Sequence, residues 1–233
     1  MSSIYLIRHG QASYGAENYD VLSELGAQQS HALGAYFARR GLALDACYAG
    51  PRHRHIDTAG HFAAGARAGG LGVTPPIILE ELDEYPILDL LKRWLPALIA
   101  EDPAIASGFG PSPDKHQLER GFLLALTRWS RGELDTGDVE SFAAFQGRVY
   151  RAIDRVIANE GRRRHIAVFT SNGPISVLVQ RVLGLASDVA LRTGWVLANT
   201  SLTELRYRDP SSIVLFSFNT MPHLLDNATI TYR

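Results

Sequence analysis

Three polar segments, each placed after an apolar run or turn, hold the side chains that could do chemistry. They are Arg8-His9-Gly10, the basic stretch Arg52-His53-Arg54-His55, and Ser171-Asn172-Gly173. An imidazole titrates near ~6.5, so a neutral nitrogen nucleophile exists at physiological pH. Arginines beside it would lower that value further and would grip phosphate oxygens through forked hydrogen bonds. Gly10 lets a ligand approach the backbone without a side chain in the way. The chemistry that follows is attack of His9 on a phosphoryl group. Taken alone, three residues describe a buried, hydrogen-bonded histidine equally well. The basic stretch likewise reads as a solvated loop, and for His53 and His55 that is the expectation.

Elements must place these groups. Ile4-Tyr5-Leu6-Ile7 is a continuous apolar run that suits a central strand covered on both faces. Polar residues at the end of such a strand stand where open α/β sheets bind ligands. Ser23 predicts a helix cap, with Leu25, Ala32, Leu33, Tyr36 and Phe37 on one face and a basic end at Arg39-Arg40-Gly41. Asp45 to Ala49 reads as a second strand and Thr58 to Ala68 as a helix. Ile77-Ile78-Leu79 reads as a short strand before the acidic Glu80-Glu81-Leu82-Asp83-Glu84. From about Leu88 to Glu160 the pattern is helical, with a Gly- and Pro-rich loop at Gly108 to Asp114. His165 to Thr170 is a strand, and Pro174 sits in the first turn of a helix reaching about Leu185. Leu202 to Tyr207 and Ile213 to Phe218 lie close enough to pair as a hairpin. This alternation predicts a three-layer α/β/α sandwich on a mostly parallel sheet. The domain expectation is a single unit over 1–233, with a helical insertion or cap at about 88–145.

The chain has 233 residues, 46% of them hydrophobic and 20% charged, with a formal net charge of -1. Its pI near 6.7 lacks the basic excess of nucleic-acid binders. Cys47 is the lone cysteine, so no intrachain disulfide forms, which favours a reducing compartment. The N-terminus carries no basic leader, and no apolar run approaches the roughly 20 residues of a membrane span. A cytoplasmic protein without membrane or nucleic-acid partners is expected. An apolar helix within Leu88 to Ile99 leaves a homodimer open. His53-x-His55 is the one close histidine pair and has no carboxylate cluster beside it, so no metal site is expected. No Walker loop or Gly-x-Gly-x-x-Gly occurs, so no nucleotide cofactor is expected.

Several segments together resemble the histidine phosphatase superfamily, the clan of cofactor-dependent phosphoglycerate mutases. Arg8-His9-Gly10-Gln11 and Leu22-Ser23-Glu24-Leu25-Gly26 with Gln29 match its opening. Gly50-Pro51-Arg52-His53-Arg54-His55-Ile56-Asp57-Thr58-Ala59 matches its next element, and Leu82-Asp83-Glu84-Tyr85 its acidic segment. Asn199-Thr200-Ser201-Leu202 and Asn219 to Leu224 match its closing strands. The matches run in order along nearly the whole chain.

The resemblance implies a phosphoglycerate mutase-like fold, with His9 as a nucleophile that becomes phosphohistidine. It implies Arg8 and Arg54 as clamps on the phosphoryl group and Glu84 as general acid and base, with Glu81 the rival. Gln11 and Asn18 are candidate substrate contacts. The family's second histidine falls on Ser171, a residue that hydrogen-bonds phosphate but carries no charge. The exchange would cost about 1–2 kcal/mol, roughly tenfold in rate. Another histidine could fill that gap in space, with His223 the first to check, although a structural role is expected for it. The implied activity is hydrolysis of a small phosphorylated metabolite without a cofactor. The alternatives are a mutase-type phosphotransferase and a weakly catalytic regulatory protein that binds phosphorylated ligands.

Overall fold

The computed structural model describes residues 1–13 and 20–232. Its sheet has six strands in the order β3-β2-β4-β1-β5-β6. These are β1 (Ser2–Arg8), β2 (Ala46–Ala49), β3 (Ile77–Ile78), β4 (His165–Thr170), β5 (Leu202–Tyr207) and β6 (Ile213–Thr220). β3 pairs in parallel with β2, β2 with β4 and β4 with β1, and β5 and β6 complete the sheet as an antiparallel hairpin beside β1. The mostly parallel sandwich expected from the sequence is therefore the architecture found.

Period-two alternation sorts the central strands between two cores. Ile4 and Leu6 of β1, with Ile166 and Val168 of β4, face one layer. Tyr5 and Ile7, with Ala167 and Phe169, face the other. The second layer consists of α1 (Glu24–Arg39) and α2 (His53–Ala68). Ser23 caps α1 as expected, accepting from the Gly26 N–H. These two helices approach unusually closely. A Cβ on Gly34 would lie 1.9 Å from the Phe62 carbonyl oxygen, and one on Gly65 would lie 2.0 Å from that of His31.

The first layer is larger. It holds α3 (Ile87–Glu101), α4 (Lys115–Ser130), α5 (Phe142–Glu160), α6 (Asn172–Leu183) and α7 (Ser187–Gly194). Trp129 of α4 packs on Phe142 and Phe145 of α5 and on Tyr85, with ring centroids 5.2 to 5.6 Å apart. The helices expected as an insertion thus share the core of the sheet. Short 3-10 turns form at Glu80–Leu82, in the acidic segment, and at Pro103–Phe109, which runs into the loop expected at Gly108 to Asp114. No helix among the described residues is long and apolar enough to cross a membrane.

Candidate active site

The site forms where β1 and β4 end side by side. The His9 N–H donates to the Thr170 carbonyl at 2.9 Å, so the residues following these strands, His9 and Ser171, are brought together. His9 is 4% exposed. Its Nδ1 lies 2.8 Å from the Gly10 carbonyl oxygen, a group that can only accept. Nδ1 therefore carries the proton, and Nε2 keeps its lone pair. Burial above all, then Arg54, Arg8 and His55, hold this imidazole well below the ordinary value, so it stays neutral. A neutral ring with a fixed tautomer is what nucleophilic attack through Nε2 requires.

The chain around His9 is braced on every side. The Gly10 N–H donates to Thr58 Oγ1 at 3.0 Å, and Asn199 Nδ2 donates to the His9 carbonyl at 3.0 Å. The Thr200 N–H points to the carbonyls of Arg8 and His9. Thr200 holds this position at φ 56°, a left-handed conformation that is costly for a β-branched residue.

The arginines converge on the same place. Arg8 is buried and donates through Nη1 to the carbonyls of Leu197 and Tyr232. Arg54 is 6% exposed, and its Nη1 pairs with Asp20 Oδ1 at 2.9 Å. Asp20 also accepts from the His53 N–H at 3.0 Å, which ties it to the start of α2. Both arginines act electrostatically on His9 and on Glu84.

Glu84 reaches the N-terminus of α6. Its carboxylate accepts from the Tyr85 N–H at 3.0 Å and the Gly173 N–H at 3.3 Å. A Cβ on Gly173 would lie 2.0 Å from Glu84 Oε1, so only glycine admits the carboxyl there. Burial raises the Glu84 pKa against the opposing pull of Tyr85 N–H, Arg54, Gly173 N–H and Arg8. Glu81 instead faces α5, where Arg155 Nη2 lies 2.9 Å from Oε2; its own backbone N–H, then Arg155, lower its pKa. Of the two acids, Glu84 alone joins the site.

Arg148 of α5 went unnoticed in the sequence. It pairs with Glu140 at 2.7 Å and donates to the carbonyls of Glu81 and Asp83, each at 2.8 Å, and to that of Glu84 at 3.3 Å. It therefore holds the backbone that aims Glu84. Beside it an open cleft of about 660 Å³ is bordered by charges of both signs, Arg52, Lys92, Arg93 and Arg148 against Asp83, Glu84, Asp89, Asp138 and Glu140.

His55 departs most from its sequence reading. Expected in a solvated basic loop, it lies in the first turn of α2 and is fully buried. Its Nε2 is 2.6 Å from Ser171 Oγ, and its ring centroid is 5.8 Å from that of His9. The one available clue was Ser171 itself, since the resemblance expects a histidine there and so invites a search for a replacement. His223 is not that replacement. It bonds Thr200 Oγ1 at 2.9 Å, and burial takes it down to about 4.

Gln11 turns its side-chain oxygen to Ser23 Oγ at 2.8 Å, toward the cap of α1. Asn18 lies outside the described residues. Among the described residues no group of three or more His, Cys, Asp or Glu side chains is arranged to hold a metal.

Similar structures share this framework. A phosphoserine phosphatase from Entamoeba histolytica matches with a TM-score of 0.66 at 18% identity, covering 97% of this chain and 100% of that one. A phosphoglycerate mutase from Bacillus anthracis matches at 0.62 and 17%, covering 95% and 94%. A mycobacterial glucosyl-3-phosphoglycerate phosphatase matches at 0.58 and 21%, covering 93% and 98%. A search of curated protein sequences finds no match. The model of the histidine phosphatase superfamily (branch 1) matches residues 4–220, and the chain belongs to that superfamily.

Proposed function

We propose that the protein is a phosphatase that hydrolyses a small phosphorylated metabolite through a phosphohistidine on His9. The carrying observation is the buried, neutral His9 with Nε2 unprotonated, set among Arg8, Arg54 and Glu84. Membership of the superfamily, and similar structures named for phosphoserine and glucosyl-3-phosphoglycerate phosphatases, support the reading.

In the first step His9 Nε2 attacks phosphorus as the bond to the leaving oxygen breaks. Arg8 and Arg54 neutralise the equatorial oxygens. Glu84, whose pKa burial raises, gives its proton to the departing oxygen. In the second step the Glu84 carboxylate takes a proton from water, whose oxygen bonds phosphorus while the bond to Nε2 breaks. Phosphate leaves, and both side chains return to their starting states. Arg54 must exchange Asp20 for the substrate, so binding and loosening of the Asp20 contact are coupled. The organic part of the substrate extends from Glu84 toward the cleft of Arg52, Lys92 and Arg93, which α3 and α5 wall off. In this reading segment 88–145 acts as the cap that selects substrates.

The test is turnover of p-nitrophenyl phosphate and a panel of phosphorylated metabolites by wild type and His9→Ala. Loss of at least about 10³-fold is expected, the scale of removing a nucleophile. Retained turnover in the variant would overturn the reading. Release of inorganic phosphate in step with consumption of a phosphoglycerate separates hydrolysis from mutase-type isomerisation.

A further inference from the structure

The buried contact between Ser171 and His55 is not used by the mechanism above. Both side chains are fully buried, and they come from different elements, the end of β4 and the start of α2. Their separation of 2.6 Å is a strong hydrogen bond for a hydroxyl and an imidazole. His55 lies 5.8 Å from His9 ring to ring, so the Ser171–His55 pair sits beside the nucleophile. Nδ1 of His55 faces the backbone of Gly50, where a Cβ would lie 2.4 Å away, so the ring is locked in orientation.

We propose that Ser171 and His55 act as one unit, in which the Ser171 hydroxyl donates to the transferring phosphoryl oxygen and His55 backs it through Nε2. When the dianion enters, His55 takes a proton from solvent. Its Nε2–H then donates to Ser171 Oγ and frees the serine hydrogen for the phosphoryl group. The only bond made is the N–H of His55, from a proton that enters with the anion; it breaks again when that proton leaves with phosphate. In the empty site burial, then Arg54 and Arg52, keep His55 neutral, so the charge is present only when phosphate is. The other ionisable groups gathered at these strand ends are Arg8, His9 and Glu84. His55 is thus a positioning residue supplying, through a serine, what a directly placed cationic histidine would supply.

The inference rests on the phosphohistidine reading, and one set of variants separates the two. His55→Gln keeps a side-chain N–H near the Nε2 position but cannot take a proton. It is expected to lose about tenfold in kcat, with His9→Ala inactive and the melting temperature of His55→Gln near wild type. Ser171→Ala should lose a similar factor, and His55→Gln/Ser171→Ala no more than either alone. The transposed pair His55→Ser/Ser171→His should recover to within about threefold of wild type, which a purely structural contact would not allow. Ser171→His alone, with His55 retained, should lose activity, because two rings cannot share that space. Wild-type kcat in His55→Gln while His9→Ala is dead overturns the inference and leaves the phosphatase reading standing. Retained activity in His9→Ala overturns the reading itself. If His55→Gln fails to fold, Ser171→Ala and the transposed pair decide: an unimpaired Ser171→Ala or an inactive transposed pair counts against the unit.

Discussion

At the residue scale, the proposed chemistry rests on two groups whose pKa values are shifted in opposite directions. Burial above all pushes the His9 pKa down, favouring the neutral ring, and the Glu84 pKa up, favouring the protonated acid. The sign of the pH dependence follows. kcat/KM should rise as pH increases through the lowered His9 value, below ~6.5, and fall as pH increases through the raised Glu84 value, above ~4.3. Glu84→Gln removes the proton donor but keeps the shape. Its loss should be about 10²-fold or more on an alkyl phosphate and clearly smaller on p-nitrophenyl phosphate, whose phenolate leaves unaided. Equal losses on both substrates would deny Glu84 its role as acid. His9 was legible in the sequence because it follows an apolar strand, whereas Glu84 came only from the family resemblance, with Glu81 as its rival. His55 was not legible, because its partner Ser171 lies far along the chain and only the folded sheet brings them together.

At the element scale, α2 is the member that carries most of the site. It supplies Arg54, His55 and Thr58, and its position is fixed by the close approach of Gly34 and Gly65 to opposing carbonyls. Gly34→Ala would force the two helices apart, costing roughly 1–3 kcal/mol and shifting Arg54 away from His9. Chemical denaturation should register the first effect and a raised KM the second; an unchanged KM would uncouple helix packing from phosphate binding. The sequence reading began this helix at Thr58, whereas it begins at His53. A run of Arg and His suggests solvent, and His53 is exposed as expected, yet Arg54 and His55 turn inward because the strand ends offer buried polar partners. Arg148 was missed for a related reason. A lone arginine on an amphipathic helix reads as surface, and its three backbone carbonyl partners belong to a loop distant in sequence. Arg148→Ala should destabilise by about 3 kcal/mol and lower kcat more than it raises KM, since Glu84 loses its support.

At the scale of the whole molecule, the layered fold followed from strand runs and helix periodicity, and the assigned strands fall within a few residues of the expected ones. What the pattern could not give was which strand ends meet, and that is where function resides. The same burial that tunes the site also sets stability against acid. His223 titrates at about 4 in the fold and near ~6.5 when unfolded. Between those values the unfolded chain binds the extra proton. Its contribution is therefore complete above the unfolded value and is lost as pH falls, up to about 3 kcal/mol. His9 and His55, held low by burial, act in the same direction. Urea melts should show stability falling steadily from neutral pH toward about 4, less steeply in His223→Gln. A flat profile would mean that these imidazoles titrate alike in the folded and unfolded chain. The central claim, that phosphate passes through His9, is tested most directly by trapping. Enzyme mixed with a ³²P-labelled substrate and quenched in alkali should carry label on His9 nitrogen at early times, and none in His9→Ala. Steady turnover with no labelled protein, or label on another residue, would contradict the account.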